Sequence, residues 1–208
     1  MALTNFDELV KQVTDWSHRE DLGTKMADFI ALTEDSMYAN ETEILNVRSM
    51  ETITTVLTTG RLLTLPTGFE SARSIRLLTN DGGGELRFQA PEQMLNHPFT
   101  GRPQFFTIVG DKIQLDRTPD SEYTIEIQFF KKANPLTSSN QTNEILTKHP
   151  SIYLYGALTQ VFIYAQDDQQ VAKYIQLFIG AIKGANKADK KGRFGPAMSM
   201  SLDRGMIV

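Results

Sequence analysis

The sequence has 208 residues, 40% apolar and 22% charged, with a net charge of −4, a mean hydropathy of −0.28 and no cysteine. This is the composition of one globular domain, or of one domain with an insertion, long enough to bury about 70% of its unfolded surface. It excludes disulfides, thiolate zinc sites, iron–sulfur clusters and cysteine nucleophiles, and no apolar run reaches the ~18 residues of a membrane span.

The start, Met1-Ala2-Leu3-Thr4-Asn5-Phe6-Asp7-Glu8, has neither the basic head nor the apolar stretch of a signal peptide, so a reducing cytoplasm is the expected compartment. Thr4 is a candidate N-cap with Asp7 three residues on. Phe6, Val10, Val13 and Trp16 then recur at helical spacing. The polar stretch Ser17–Glu20 breaks this pattern, and Asp21 can cap a second helix. Its stripe is Leu22, Met26, Phe29, Ile30, Thr33 and Met37, read as core, with an end at Asn40 or as late as Leu45.

Near Val47 the composition changes. Thr52–Thr59 is a β-branched run, which prefers strand. Further strands are predicted at Arg61–Leu65, Ser74–Thr79 and Glu85–Gln89, with a helical turn at Pro91–Leu95. Phe105–Val109 and Lys112–Leu115 flank Gly110-Asp111 as a hairpin, and Asp116–Ser121 is a turn. Tyr123–Phe130 alternates Tyr123, Ile125, Ile127 and Phe129 with polar partners, the clearest strand pattern in the chain. Residues of about 47 to 132 therefore read as antiparallel β.

Ala133–Gln141, with Pro135, Ser138, Ser139 and Asn140, reads as a loop. Pro150-Ser151 opens helix again, with apolar positions Leu154, Leu158, Val161, Ala165, Ala172, Ile175, Ile179 and Ile182. The seven-residue gap over Gln166-Asp167-Asp168 predicts a kink or a break; a break is preferred, because otherwise an acid would occupy the apolar seam. The last twenty residues lack helical periodicity and read as an extended arm with hydrophobic anchors. The expected architecture is α+β: a helical bundle from 1–46 and 142–190, an inserted antiparallel β domain at 47–141, and a C-terminal arm at 191–208.

Charge is split along the chain. From Lys183 onward there are six basic residues (Lys183, Lys187, Lys190, Lys191, Arg193 and Arg204) and two acidic (Asp189 and Asp203), so the rest of the chain carries −8 of the total of −4. A basic tail on an acidic body predicts docking on an acidic surface; cations also suit a helix C-terminus.

No catalytic set assembles from the residues. His18, His97 and His149 are scattered and lack the i,i+4 partner of a helical metal site. Asp167-Asp168 suits a helix cap better than a cation site. Asn80-Asp81-Gly82-Gly83-Gly84-Glu85 lacks the endings of phosphate and calcium loops and reads as a hairpin tip. Arg73, Arg76 and Arg87 lie near Phe88, as nucleic acid would want, but Glu70 and Glu85 offset them. No enzyme activity, metal or cofactor is expected.

Several segments carry a resemblance in their order and spacing. They are Phe29–Glu34, Met37-Tyr38, Leu45–Glu51 and Leu65–Phe69, then Pro150–Leu158, Asp167-Asp168, Tyr174–Phe178, Ala181-Ile182 and Ala185-Asn186. Over most of its length the chain resembles the tailed-phage head-to-tail adaptor proteins, also called connectors or portal adaptors, of podovirus type. The resemblance implies a virion protein that forms a dodecameric ring under the portal vertex. It also implies an arm that meets the portal protein through Arg193, Phe194, Met198, Met200, Leu202, Met206 and Ile207. Tail or nozzle proteins are the further partners implied. Genomic DNA would pass through the channel without sequence-specific binding, and the location implied is the head–tail junction, after assembly in the host cytoplasm. The competing expectation is a tail or baseplate attachment protein with a β binding module.

Overall fold

The computed structural model describes residues 3–58, 60–79, 83–94 and 99–194. The chain is mixed α+β, with five α-helices and two four-stranded sheets among these residues. Met50–Lys132 forms one compact unit, and the described residues on either side form another.

In the helical unit, α1 (Phe6–Ser17) starts at Asn5, whose side chain accepts from the Glu8 N–H at 2.8 Å. Thr4 is not the cap. It donates its N–H and its hydroxyl to the Glu8 carboxylate at 2.8 and 2.7 Å. The buried face is Phe6, Leu9, Val13 and Ser17, and Trp16 is 46% exposed. On a 3.6-residue period Leu9 shares the face of Phe6 and Val13, while Val10 and Trp16 fall to its side. Asp21 caps no α-helix either. It pairs with Arg19 at 2.7 Å in the 3₁₀ segment Glu20–Lys25, and α2 (Met26–Ala39) begins at Met26. Leu22, Met26, Phe29, Ile30, Thr33 and Met37 are all buried.

After the β unit come α3 (Glu144–Lys148), which no sequence pattern announced, α4 (Pro150–Tyr164) and α5 (Asp168–Phe194). Eight residues of α4 are buried, and it packs against each of the other four helices. Gly156 allows that approach: a Cβ there would strike Thr33 Cγ2 of α2 and press on the Phe178 ring of α5. α5 buries Tyr174, Phe178, Ile182, Ala185 and Asn186, not the expected Ala172, Ile175 and Ile179. The break before Asp168 resets the helical phase, so a period carried through from α4 misplaces the stripe. Helix continues to Phe194, so Arg193 and Phe194 belong to α5 rather than to an extended arm. Lys187–Lys191 is rich in helix formers, and its cations complement the helix C-terminus.

In the β unit, one sheet has the order β1 (Glu51–Leu57), β8 (Thr124–Lys131), β3 (Phe69–Leu78), β4 (Gly84–Glu85). The other has the order β2 (Leu62–Thr64), β7 (Lys112–Leu115), β6 (Phe105–Val109), β5 (Arg87–Phe88). β8 pairs with β1 from Glu51↔Phe130 to Leu57↔Thr124 and with β3 through two register shifts. Ile75, Leu77, Ile113, Leu115, Ile125 and Ile127 fill the space between the sheets.

The strand expected at Glu85–Gln89 is divided at Leu86, where the chain steps from one sheet to the other. The insertion is not purely antiparallel, because β5 runs parallel to β6. A long connection, not a tight turn, joins these two strands, and only a long connection permits parallel pairing. At Gly83 a Cβ would collide with the Leu77 carbonyl oxygen, so the end of the glycine run answers to a close backbone approach. Ala133–Gln141, grouped with the insertion on sequence, belongs to the helical unit.

Candidate assembly surfaces

The helical unit holds the chain segments that lead to and from the β unit by side chains far apart in sequence. Asn186 of α5 accepts from the Asn46 N–H at 2.9 Å and donates to Glu43 Oε1 and the Ile44 carbonyl at 2.8 and 2.9 Å. On the return segment, Ala133 N–H donates to Tyr38 Oη at 3.0 Å and Leu136 N–H to Glu34 Oε1 at 2.9 Å. Gln141 accepts from the N–H groups of Phe6 and Asp7 at the start of α1. Asn143 caps α3 through Leu146 N–H and donates to Tyr153 Oη at 2.6 Å. Tyr153 in turn donates to Glu34 at 2.8 Å.

Burial raises the Glu34 carboxyl above its ordinary 4.5, against the two hydrogen bonds that favour its charge. Burial and the nearby Glu34 charge push the Tyr153 phenol well above its usual range. These groups spend their hydrogen bonds on the fold, and the carboxyl–phenol contact straps α2 to α4.

Two of the three histidines lie among the described residues. His18 ends α1 in the left-handed conformation (φ 53°), and His149 sits between α3 and α4. Burial, with Lys148 beside it, lowers the pKa of His149. His97 lies outside the described residues. Among the described residues no group of His, Asp and Glu could hold a metal ion, and no helix is long and apolar enough to cross a membrane.

At the α4–α5 turn, Asp167 N–H donates to the Phe162 carbonyl and Gln166 N–H to that of Ile163. Gln166 has φ 58°, which makes a Schellman closure. Asp167 Oδ1 then accepts from Gln170 N–H at 3.2 Å, and Asp168 is the first residue of α5. The paired carboxylates therefore start a helix. Lys183, Lys187, Lys190 and Lys191 are exposed along the second half of α5. Met198, Met200, Leu202, Met206 and Ile207 lie outside the described residues.

Exposed apolar side chains occur on both units. Trp16, Leu32, Tyr164 and Leu177 are exposed on the helical unit, and Ile53, Leu57, Leu62 and Phe88 on the β unit. The β-branched run of β1 is thus a sheet edge, with Ile53 62% exposed, and not a core strand. The β unit also carries a groove of about 660 Å³. One wall is β3 from Phe69 to Ile75, the other is Phe106 and Ile108 of β6, and Leu86–Phe88 closes the apex. Arg73, on the first wall, is ion-paired with Glu51. Sequence reading missed this groove, because its walls are over thirty residues apart in the chain. The one available signal was the isolated Phe88, which is 63% exposed.

No curated protein matches the chain. The family model described as SU10 adaptor protein matches residues 4–200, across both units. A match over nearly the whole sequence places the chain in a family of phage structural adaptor proteins: it belongs to the SU10 adaptor protein family.

Proposed function

We propose that this chain is a head-to-tail adaptor of podovirus type. Copies form a dodecameric ring below the portal protein, join the capsid to the tail, and surround part of the channel through which DNA leaves. The single observation that carries this reading is the family match over residues 4–200. The chemistry of the surface supports it. A ring needs two different faces on each subunit, and exposed apolar residues occur on both units. The helices serve as a bundle, and the β insertion meets tail or nozzle proteins. The acidic body, at −8 outside the last 26 residues, suits a conduit that must repel phosphate. The protein acts without catalysis or cofactor, in the virion, after assembly in the host cytoplasm.

The arm is the contact with the portal. Met198, Met200, Leu202, Met206 and Ile207 are bulky apolar residues in a glycine-bearing segment, and a partner that covers them removes an exposed hazard. Arg193 and Phe194 lead into it, and the lysines before them steer the segment to an acidic surface. Deleting residues 195–208 is expected to leave circular dichroism unchanged and to abolish binding to portal-bearing, tailless heads. Truncated protein that still completes DNA-retaining heads would sink the assignment. The groove of the β unit favours one other reading, a tail or baseplate attachment protein. That reading requires a trimer with glycan affinity, whereas the adaptor is a monomer or a large ring by native mass.

A further inference from the structure

Four cations share one exposed face of α5. Lys183, Lys187, Lys190 and Lys191 are exposed. At 3.6 residues per turn they fall within about 100° of the helix circumference and along about 12 Å of its length. Phe178, Ile182, Ala185 and Asn186 occupy the opposite, buried side. From Gly180 to Gly192 the sequence carries one acid, Asp189. It turns toward the buried side, where its charge acts on His149. None of the four lysines has an ion-pair partner among the described residues. Like charges at i,i+3 and i,i+4 destabilise a helix by themselves. The helix dipole does not account for the row, because its effect fades beyond the last turn and Lys183 lies about three turns before Phe194. Gly180 lies within the cationic arc and Gly184 beside it, and a Cβ at either would meet nothing within 4 Å. The cations therefore flank a low, open surface.

We propose that this face binds the phosphate backbone of duplex DNA, independently of base sequence. The charges are complementary, and the rest of the face selects among anionic partners. Protein interfaces are built on apolar and aromatic anchors and are depleted in lysine. From Lys183 to Gly192 the exposed residues are four lysines, two glycines and Ala188, with no large apolar side chain. The same lack of aromatics leaves no platform for the unstacked bases of a single strand. What the face offers is a row of point charges, repeated about every 6 Å along the Lys183, Lys187 and Lys191 line, beside backbone that a phosphate chain can approach closely. The chain before Lys183 carries −8, which confines the attraction to this face and keeps the hold weak and reversible. This contact is independent of the portal contact proposed for the segment after Phe194.

Fluorescence anisotropy of a labelled 30-base-pair duplex with the full chain tests this. At about 50 mM salt, saturable binding is expected, equal for two unrelated sequences, with a slope of log K against log salt of about −3 to −4 for four phosphates. Replacing all four lysines by Gln is expected to weaken binding at least about tenfold and to flatten that slope, whereas replacing all four by Arg keeps both. A charge-matched control, Lys11→Gln, Lys25→Gln, Lys148→Gln and Lys173→Gln, removes exposed lysines elsewhere on the helical unit and is expected to bind close to the full chain. Circular dichroism verifies that each variant is folded. No binding by the full chain, equal loss in the control, or binding of polyglutamate in place of the duplex overturns the inference. The deletion of residues 195–208 keeps all four lysines and is expected to bind the duplex like the full chain, so its binding to heads reports on the portal reading separately.

Discussion

Gly156 and Gly180 are both helical glycines, and the structure gives them opposite roles. At Gly156 a methyl would strike Thr33 and approach Phe178 within 3.0 Å, whereas at Gly180 nothing lies within 4 Å. Gly156→Ala is expected to destabilise by about 1–3 kcal/mol through overpacking. Gly180→Ala should stabilise by about 0.5–1 kcal/mol through helix propensity. The corresponding shifts of about 2–4 °C per kcal/mol are measurable by thermal melting. Glu34 gives a prediction in pH. Its folded pKa lies above 4.5, so the native state binds the proton more tightly than the unfolded state. That contribution is complete below pH 4.5 and is lost as the pH rises through the raised value. Glu34→Gln keeps an oxygen to accept from Leu136 N–H and Tyr153 Oη, so it should remove this pH dependence without loss at neutral pH. Glu34→Leu orphans both donors and should cost about 1–3 kcal/mol for each. Urea titration across the pH range separates the two variants. Neither residue's role was legible from its neighbours, because Thr33 and Tyr153 come from other helices.

The α4–α5 turn is the element whose sequence spoke most directly. The apolar gap over Gln166–Asp168 coincides with the end of α4 at Tyr164 and the start of α5 at Asp168. Gln166 holds φ 58° with a Cβ, so Gln166→Gly should stabilise by up to about 1 kcal/mol. Asp167→Ala should cost about 0.5–2 kcal/mol by removing the acceptor for Gln170 N–H. Denaturant midpoints at constant slope check both. β8 was legible for a different reason: it is the central strand between β1 and β3, and its inner face meets the core, so Ile125, Ile127 and Phe129 alternate cleanly. β1 carries equally strong β-branched residues but lies at an edge, so its propensity fixed its conformation and not its burial. β5 has two residues and exists only because β6 lies beside it, and no local pattern encodes a partner.

On the scale of the whole molecule, charge carries the prediction. If the basic residues from Lys183 onward steer docking, the association rate with heads should fall steeply toward ~1 M salt, where the Debye length is about 3 Å. Dissociation of the apolar arm should change little, and stopped-flow or surface binding at several salt concentrations resolves the two rates. The α+β division, the α2 stripe, the helix break and the absence of thiol chemistry followed from composition and period alone. These depend on residues close in the chain, where 3.6- and 2-residue periods and capping preferences act. Which residue of α1 and α5 faces inward, the parallel β5–β6 pair, the Glu34–Tyr153–Asn143 strap and the open groove were decided only by the tertiary structure. Each depends on side chains or strand edges from distant segments, and their encounter is set by how the elements pack and not by any local pattern.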